Sequence, residues 1–338
     1  MRLQEREAAG ASRLSDILKK ENGIMKKVFI DGSAGTTGLR INERFESRDD
    51  IELMHIDEAK RKDPEEIKKY INESDITFLC LPDDAAREAV GYVENENTVI
   101  IDTSTAHRTD PDWAYGFPEL SDEFEEKIKT SKRIAVPGCY ASGFIALAYP
   151  LVKGGLISAD YPAAVFAASG YSGGGKKLIA AYEEEGREAK YDSARMYAWG
   201  QSHKHLREMK AITGLNKEPV FSPFTTNYHS GMIVQFPIFG DLMEKRMTPS
   251  ALRDYFAEFY DGKKFIKVMP FGADVDAGGA LFSDACAGWD GMEIFVCGNS
   301  DRLMIGSRFD NLGKGASGAA IECMNISMGA DPAKGLNL

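Results

Sequence analysis

From Lys26 onward, short apolar runs alternate with amphipathic segments. Lys27-Val28-Phe29-Ile30-Asp31, Ile51 to Ile56, Ile76 to Leu81, Thr98 to Asp102 and Arg133 to Val136 each read as a short buried strand. The intervening segments Leu39 to Phe45, Pro64 to Ile71, Ala85 to Val90 and Ser121 to Thr130 read as helices. That alternation predicts a parallel, doubly wound sheet, since each parallel strand needs a crossover helix to bring the chain back. After Val136 the character changes. A buried helix is expected to open at Cys139, run through Phe144 to Tyr149 and end at Pro150. Strands are then predicted over Tyr161 to Ala168, twice between Val220 and Pro237, and over Phe265 to Met269, Asp284 to Gly288 and Met292 to Gly298, with a helix from Thr248. They imply a second domain with a mixed, largely antiparallel sheet and helices on one face.

At 338 residues the chain has room for two such domains. Five scattered cysteines (Cys80, Cys139, Cys286, Cys297, Cys323) lack a C-x-x-C pair, so neither a disulfide framework nor a zinc cluster is suggested and a reducing cytoplasm is expected. Cys80, Cys286 and Cys297 read as structural strand residues. With 41 basic against 52 acidic residues the net charge is −11, which argues against nucleic acid or anionic membrane as partners. No apolar run approaches the ~20 residues of a membrane span. Residues 1–24, polar and poorly patterned ahead of Met25, read as an extension, disordered or else a partner-binding helix.

The candidate chemistry sits where strands meet helices. Gly32-Ser33-Ala34-Gly35-Thr36-Thr37-Gly38 follows the first strand and opens a helix, an order suited to holding a pyrophosphate at a helix N-terminus. Asp57 stands where a ribose-binding acid would, yet Lys60-Arg61-Lys62 follows and suits a 2′-phosphate, favouring NADP over NAD. Thr103-Ser104-Thr105-Ala106-His107-Arg108 lies at a strand's carboxyl end, with Arg108 either an anion clamp or a partner of Asp110 or Asp112. Pro137-Gly138-Cys139-Tyr140 puts a thiol at a helix start, where unpaired N–H groups lower a thiol pKa and can hold an oxyanion; a half-buried structural cysteine is the alternative. Ser169-Gly170-Tyr171-Ser172-Gly173-Gly174-Gly175-Lys176-Lys177 is a small-residue loop whose amides can approach an anion. His203-Lys204-His205 can be a metal edge, a proton-transfer pair or a surface accident; with no acid or cysteine at ligand spacing, no metal is expected. Small residues from Gly313 to Ala320 let a helix start lie close to a flat ligand.

Taken together, the glycine loop, Tyr115-Gly116-Phe117-Pro118-Glu119-Leu120, Pro137-Gly138-Cys139-Tyr140, Ser169-Gly170-Tyr171-Ser172-Gly173, His203-Lys204-His205 and Asn311-Leu312-Gly313-Lys314-Gly315-Ala316 resemble the shorter branch of the N-acetyl-gamma-glutamyl-phosphate reductases, relatives of aspartate-semialdehyde dehydrogenases. The resemblance runs from about Lys26 to the Asn325 region, leaving residues 1–24 outside it. It implies an α/β fold: a Rossmann-type NADP-binding domain formed by 25–141 and 306–338, and an inserted α+β catalytic and oligomerisation domain, 142–305. It also implies a soluble, cytoplasmic homo-oligomer, a dimer or tetramer, acting in arginine biosynthesis. The cofactor contacts expected are Gly32, Ser33, Ala34, Gly35, Thr36, Thr37, Gly38, Asp57, Arg61, Ser104, Asn311 and Gly315. Arg108, Ser169, Gly170, Ser172 and Lys176 are expected at the substrate.

The implied chemistry makes Cys139 the nucleophile toward the acyl phosphate of N-acetyl-glutamyl 5-phosphate. Phosphate leaves, NADPH reduces the thioester, and the semialdehyde is released. His203 or His205 moves the proton; His205 is favoured because Glu208 stands where it could orient the ring. The rivals are an aspartate-semialdehyde dehydrogenase, a non-catalytic NADP-binding regulator with an inert Cys139, and a cysteine hydrolase, which leaves the glycine loop unexplained.

Overall fold

The computed structural model describes residues 25–338; the extension 1–24 lies outside the described residues. The first sheet contains β1 (Lys26–Asp31), β2 (Ile51–Met54), β3 (Ile76–Leu79), β4 (Val99–Asp102), β5 (Ala114–Tyr115) and β6 (Arg133–Ala135), in the order β2-β1-β3-β4-β6-β5 and parallel throughout. Alternation along the strands sends side chains to two faces. Val28, Ile30, Phe78, Ile101 and Ile134 pack against α1 (Thr36–Phe45), α4 (Asp122–Thr130) and α9 (Gly318–Ser327). Phe29, Leu79 and Ile100 pack on the opposite side against α2 (Pro64–Glu73) and α3 (Asp83–Gly91). The expected doubly wound sheet is therefore present. Helix α1 begins at Thr36, three residues before the expected Leu39, and so includes Thr36 and Thr37 of the glycine loop.

The second sheet holds β7 (Ala164–Gly170), β8 (Arg195–Met196), β9 (Val220–Thr226), β10 (Met232–Phe239), β11 (Ile266–Val268), β12 (Met292–Gly298) and β13 (Arg302–Phe309), ordered β11-β12-β13-β10-β7-β9-β8. Pairing is antiparallel except between β7 and β9 and between β11 and β12, the mixed sheet expected. One face buries Val165, Phe221, Val234, Phe236, Ile294 and Ile305 against α5 (Cys139–Lys153), α7 (His205–Thr213) and α8 (Pro249–Phe259). The opposite face leaves Phe166, Val220, Phe239 and Met304 exposed.

Several expectations are corrected. Helix α5 does not stop at Pro150 but continues to Lys153. Pro150 has no N–H for the carbonyl four residues earlier, and that group, Ala146 O, instead accepts from the Tyr260 hydroxyl at 2.7 Å. Residues 284–288 form turns, not a strand; Ala285, Ala287 and Gly288 offer little to pack on a pleated surface, and Gly288 has φ +82°. Cys286 is thus a buried turn residue, and Cys80 follows β3 at its carboxyl end and is only half-buried. The domain boundaries move too. The expected break at 141/142 falls inside α5, and residues 306–309, assigned to the nucleotide domain, complete β13 of the second sheet.

Candidate active site

Cys139 is the first residue of α5, reached from β6 through Val136-Pro137-Gly138. A Cβ on Gly138 would lie 2.4 Å from both Arg108 Nη1 and His205 Nε2, so the turn is glycine because an arginine and a histidine are packed against it. Arg108 donates to Val136 O (2.8 Å), Thr103 O (2.9 Å) and Glu208 Oε2 (3.1 Å). The other Glu208 oxygen accepts from the Tyr115 hydroxyl (2.7 Å) and from the Gly138 amide (2.8 Å). Arg108 and Glu208 are both buried. Two expectations fail here. Arg108 pairs with neither Asp110 nor Asp112; it braces the turn, and it also lines the cavity beside Cys139 with one N–H left on each terminal nitrogen. Glu208 does not orient His205; its carboxylate is fully occupied by Arg108, Tyr115 and Gly138, and His205 Nδ1 has no partner.

His203 Nδ1 accepts the His205 amide at 3.2 Å, which places the proton of a neutral ring on Nε2. Both histidines are held neutral at pH 7. Burial, then Lys204 and Arg108, lower His203 to about 4, and burial followed by the same cations and His203 pushes His205 well below the ordinary value. The thiol moves opposite to expectation: burial raises Cys139 to about 11, outweighing the Tyr140 amide and the Arg108 charge. A helix N-terminus offers partial charge only, and desolvation of an anion exceeds it. The ligand-free site therefore pairs a protonated thiol with neutral imidazoles.

Two cavities meet at this point. One, about 360 Å³, runs from Gly35, Thr36 and Thr37 past Ser104 to Asn311 and Gly315. The other, about 570 Å³, is bounded by Ser169, Gly170, Lys177, Arg195 and Thr225. Cys139, Tyr140, Gly173, Tyr197, His203 and Lys204 line both.

The first cavity suits a dinucleotide. The N-cap of α1 is Gly35, with no capping side chain and no acid in the first turn, leaving the first N–H groups open to a phosphate. Ser104 is fixed by Asp102, which accepts from its amide (2.8 Å) and hydroxyl (2.7 Å). Asn311 bridges Gly231 N and Ser172 Oγ, at 2.8 and 2.9 Å. A Cβ on Gly315 would stand 3.0 Å from Cys139 Cβ, so a flat group beside Gly315 is beside the thiol. Gly32 and Gly38 shape the turn from behind, whereas Ser33 and Ala34 are exposed and outside the cavity. Asp57 and Arg61 are not brought to it either: Asp57 accepts the Ala59 amide and Arg61 pairs with Glu58 at 2.9 Å, all on the surface. Among the described residues no group of three or more His, Cys, Asp or Glu side chains could hold a metal ion.

In the second cavity the expected amides are already used. Gly170, Tyr171 and Ser172 N–H groups bond to the carbonyls of Gly231, Tyr228 and His229, so the loop is braced by the segment before β10 and does not present those donors. Ser169 Oγ turns to Gly170 O, and Ser172 lines the first cavity, not the second. Lys176 lines neither; its neighbour Lys177 does, because one step along α6 (Gly175–Glu183) rotates a side chain by ~100°. Arg195 and Tyr197 were not expected, and their separation in sequence from Cys139 conceals them. Glu208, one helical turn from His205, was expected at the site but with the wrong partner.

A nucleotide-type parallel sheet and a mixed-sheet domain, with a thiol at their seam, define a semialdehyde-dehydrogenase-type oxidoreductase. Two family models divide the chain accordingly: the semialdehyde dehydrogenase NAD binding domain matches residues 8–130, and the semialdehyde dehydrogenase dimerisation domain matches 139–311. The first match begins at residue 8, inside the segment expected to stand outside the family pattern. Aspartate semialdehyde dehydrogenase II from Vibrio cholerae, complexed with ASA, shares the fold at a TM-score of 0.66 and 13% identity, covering 90% of this chain and 99% of that one. In sequence, the chain is 44% identical over 308 residues to the N-acetyl-gamma-glutamyl-phosphate reductase of Brucella ovis, covering 90% of this chain and 99% of the relative. It is 41% identical over 319 residues to N-acetyl-gamma-glutamyl-phosphate reductase 2 of Nostoc sp., covering 92% and 99%. The chain belongs to the N-acetyl-gamma-glutamyl-phosphate reductase family, and its nucleotide domain binds a nicotinamide dinucleotide.

Proposed function

We propose that the protein reduces N-acetyl-L-glutamyl 5-phosphate to the 5-semialdehyde with NADPH, releasing inorganic phosphate, as a cytoplasmic enzyme of arginine biosynthesis. The carrying observation is the meeting of the two cavities at Cys139. Lys177, Arg195 and Lys204 concentrate positive charge around the second cavity of a chain whose net charge is −11, which suits a substrate with a carboxylate and a phosphate. Bound NADPH supplies the hydride. His205 takes the Cys139 proton, the sulfur attacks the acyl carbon, and phosphate departs with a proton from solvent to leave a thioester. Once that carbon is reduced, the Nε2–H of His203 and the first N–H groups of α5 face the negative oxygen, each such donor contributing ~3 kcal/mol. The carbon–sulfur bond then breaks, freeing the aldehyde, and the thiolate regains its proton from His205. The 2′-phosphate is assigned to the surface loop after β2, outside the first cavity. Lys60 would have to leave Glu66 and Arg61 leave Glu58 to meet it, and Lys62 adds a third cation.

The apolar outer face of the second sheet, with Phe166, Val220, Phe239 and Met304 exposed, is assigned to a second copy of the chain, in keeping with the dimerisation-domain match. No helix among the described residues is long and apolar enough to cross a membrane. The deciding experiment oxidises N-acetyl-glutamate semialdehyde and aspartate semialdehyde in parallel, with phosphate and either NADP or NAD. Turnover of the acetylated semialdehyde with NADP is expected. Preference for aspartate semialdehyde would overturn the substrate, and preference for NAD the cofactor.

A further inference from the structure

Two motif residues have no part in the chemistry above: Glu119, from Phe117-Pro118-Glu119-Leu120, and Lys314, from Asn311-Leu312-Gly313-Lys314-Gly315-Ala316. The fold joins them. Lys314 is 2% exposed, and its ammonium donates to Glu119 Oε1 and to Glu322 Oε2, the latter at 2.6 Å. The rings of Phe117 and Phe265 flank it at 5.2 and 4.7 Å. An ammonium leaves water only where opposite charge and hydrogen-bond acceptors are both supplied, and ring faces add to that. Glu119 and Glu322 are as deeply buried. Burial, and then the Glu119 charge, hold the Glu322 carboxyl well above its usual range, with the Lys314 ammonium opposing them.

The cluster ties together the turn after β5 (Glu119), helix α9 (Glu322), the edge of the second domain before β11 (Phe265) and the turn that follows β13 (Lys314). That last turn is π-helical over Gly313–Ser317, with Gly315 N bonding to Asp310 O and Ser317 N to Leu312 O, both at 3.0 Å. Such wide turns are rare and concentrate at functional sites. Gly315 and Ala316 form its cavity-facing side, with Gly315 against Cys139, while the Lys314 side chain anchors it from behind.

We propose that Lys314 is a positioning residue: clamped by Glu119 and Glu322, it holds the Gly315–Ala316 turn against Cys139, so that a nicotinamide ring in the dinucleotide cavity meets the acyl group on the sulfur. The inference rests on the proposed function and concerns only its second half. Thioester formation uses Cys139, the histidines and the second cavity, none of which Lys314 touches. Hydride transfer depends on the turn, and a misplacement of ~1 Å costs on the order of a hundredfold in rate.

The test separates the half-reactions in the full-length protein. Phosphate released from N-acetyl-glutamyl 5-phosphate without dinucleotide reports thioester formation, and single-turnover oxidation of NADPH, with a 4-deuterated form for the isotope effect, reports hydride transfer. Lys314→Met should keep the phosphate burst within about threefold and slow hydride transfer about a hundredfold, exposing an isotope effect. Glu119→Gln should act in the same direction without removing the lysine. Glu322→Gln, which keeps the shape of the second clamp but removes its carboxylate from Lys314, should also slow hydride transfer and spare the phosphate burst. Equal loss of both half-reactions in Lys314→Met and Glu119→Gln, or unchanged hydride transfer in both, overturns the positioning role. Absence of the phosphate burst from the unsubstituted protein overturns the proposed function instead.

Discussion

Replacing Glu208 with Gln keeps the side chain's shape and removes its charge. In the native site this carboxylate is 2% exposed and accepts from Arg108 at 3.1 Å, Tyr115 at 2.7 Å and Gly138 at 2.8 Å. Removing one partner of a buried ion pair costs about 3–5 kcal/mol, because the remaining charge stays buried without compensation. Glutamine also turns one oxygen into an NH₂ group that faces a donor, so at least one of the three bonds is lost outright, at about 1–3 kcal/mol. A loss of about 4 kcal/mol in unfolding free energy is expected, read as a lower urea midpoint at unchanged slope. Because Gly138 precedes Cys139, kcat/KM should fall by on the order of a hundredfold as the thiol shifts. The control is Arg108→Met. Together with Glu208→Gln it removes both charges, so the double variant should be more stable than the sum of the singles by about 2 kcal/mol or more. A Glu208→Gln loss under about 1 kcal/mol, or strict additivity, would falsify the buried-pair account.

Three further outcomes follow from the same geometry. Cys139 stays protonated to about pH 11, so alkylation of the ligand-free protein by iodoacetamide should climb about tenfold per pH unit from 7 to 10; a plateau below pH 8 refutes the desolvated thiol. His203 is lowered to about 4, so its neutral form persists down the acid side and is lost only as pH falls through that value; an acid limb of kcat/KM near pH 6.5 would contradict it. Phe166→Glu on the outer face of β7 should convert the oligomer to monomers in sedimentation while far-ultraviolet dichroism is unchanged, and an unaltered sedimentation coefficient rules that face out.

The local features of this chain were determined by its sequence. Short continuous apolar runs alternating with helical segments specify a doubly wound sheet, and Gly35 before Thr36-Thr37 marks an open helix N-terminus, because these depend on neighbours within a few residues. Placing Cys139 at the start of α5 follows from Pro137-Gly138 for the same reason. Tertiary structure decided what surrounds them. Glu208 reaches Arg108 across 100 positions, and Lys314 reaches Glu119 across 195. No pattern in the intervening sequence states which carboxylate meets which cation, since the pairing is made by packing α7 and the turn after β13 onto a sheet that must first exist. The Cys139 thiol shows the difference most plainly. Its helix-start position argues for easy ionisation, and burial, which belongs to the folded molecule alone, reverses the sign.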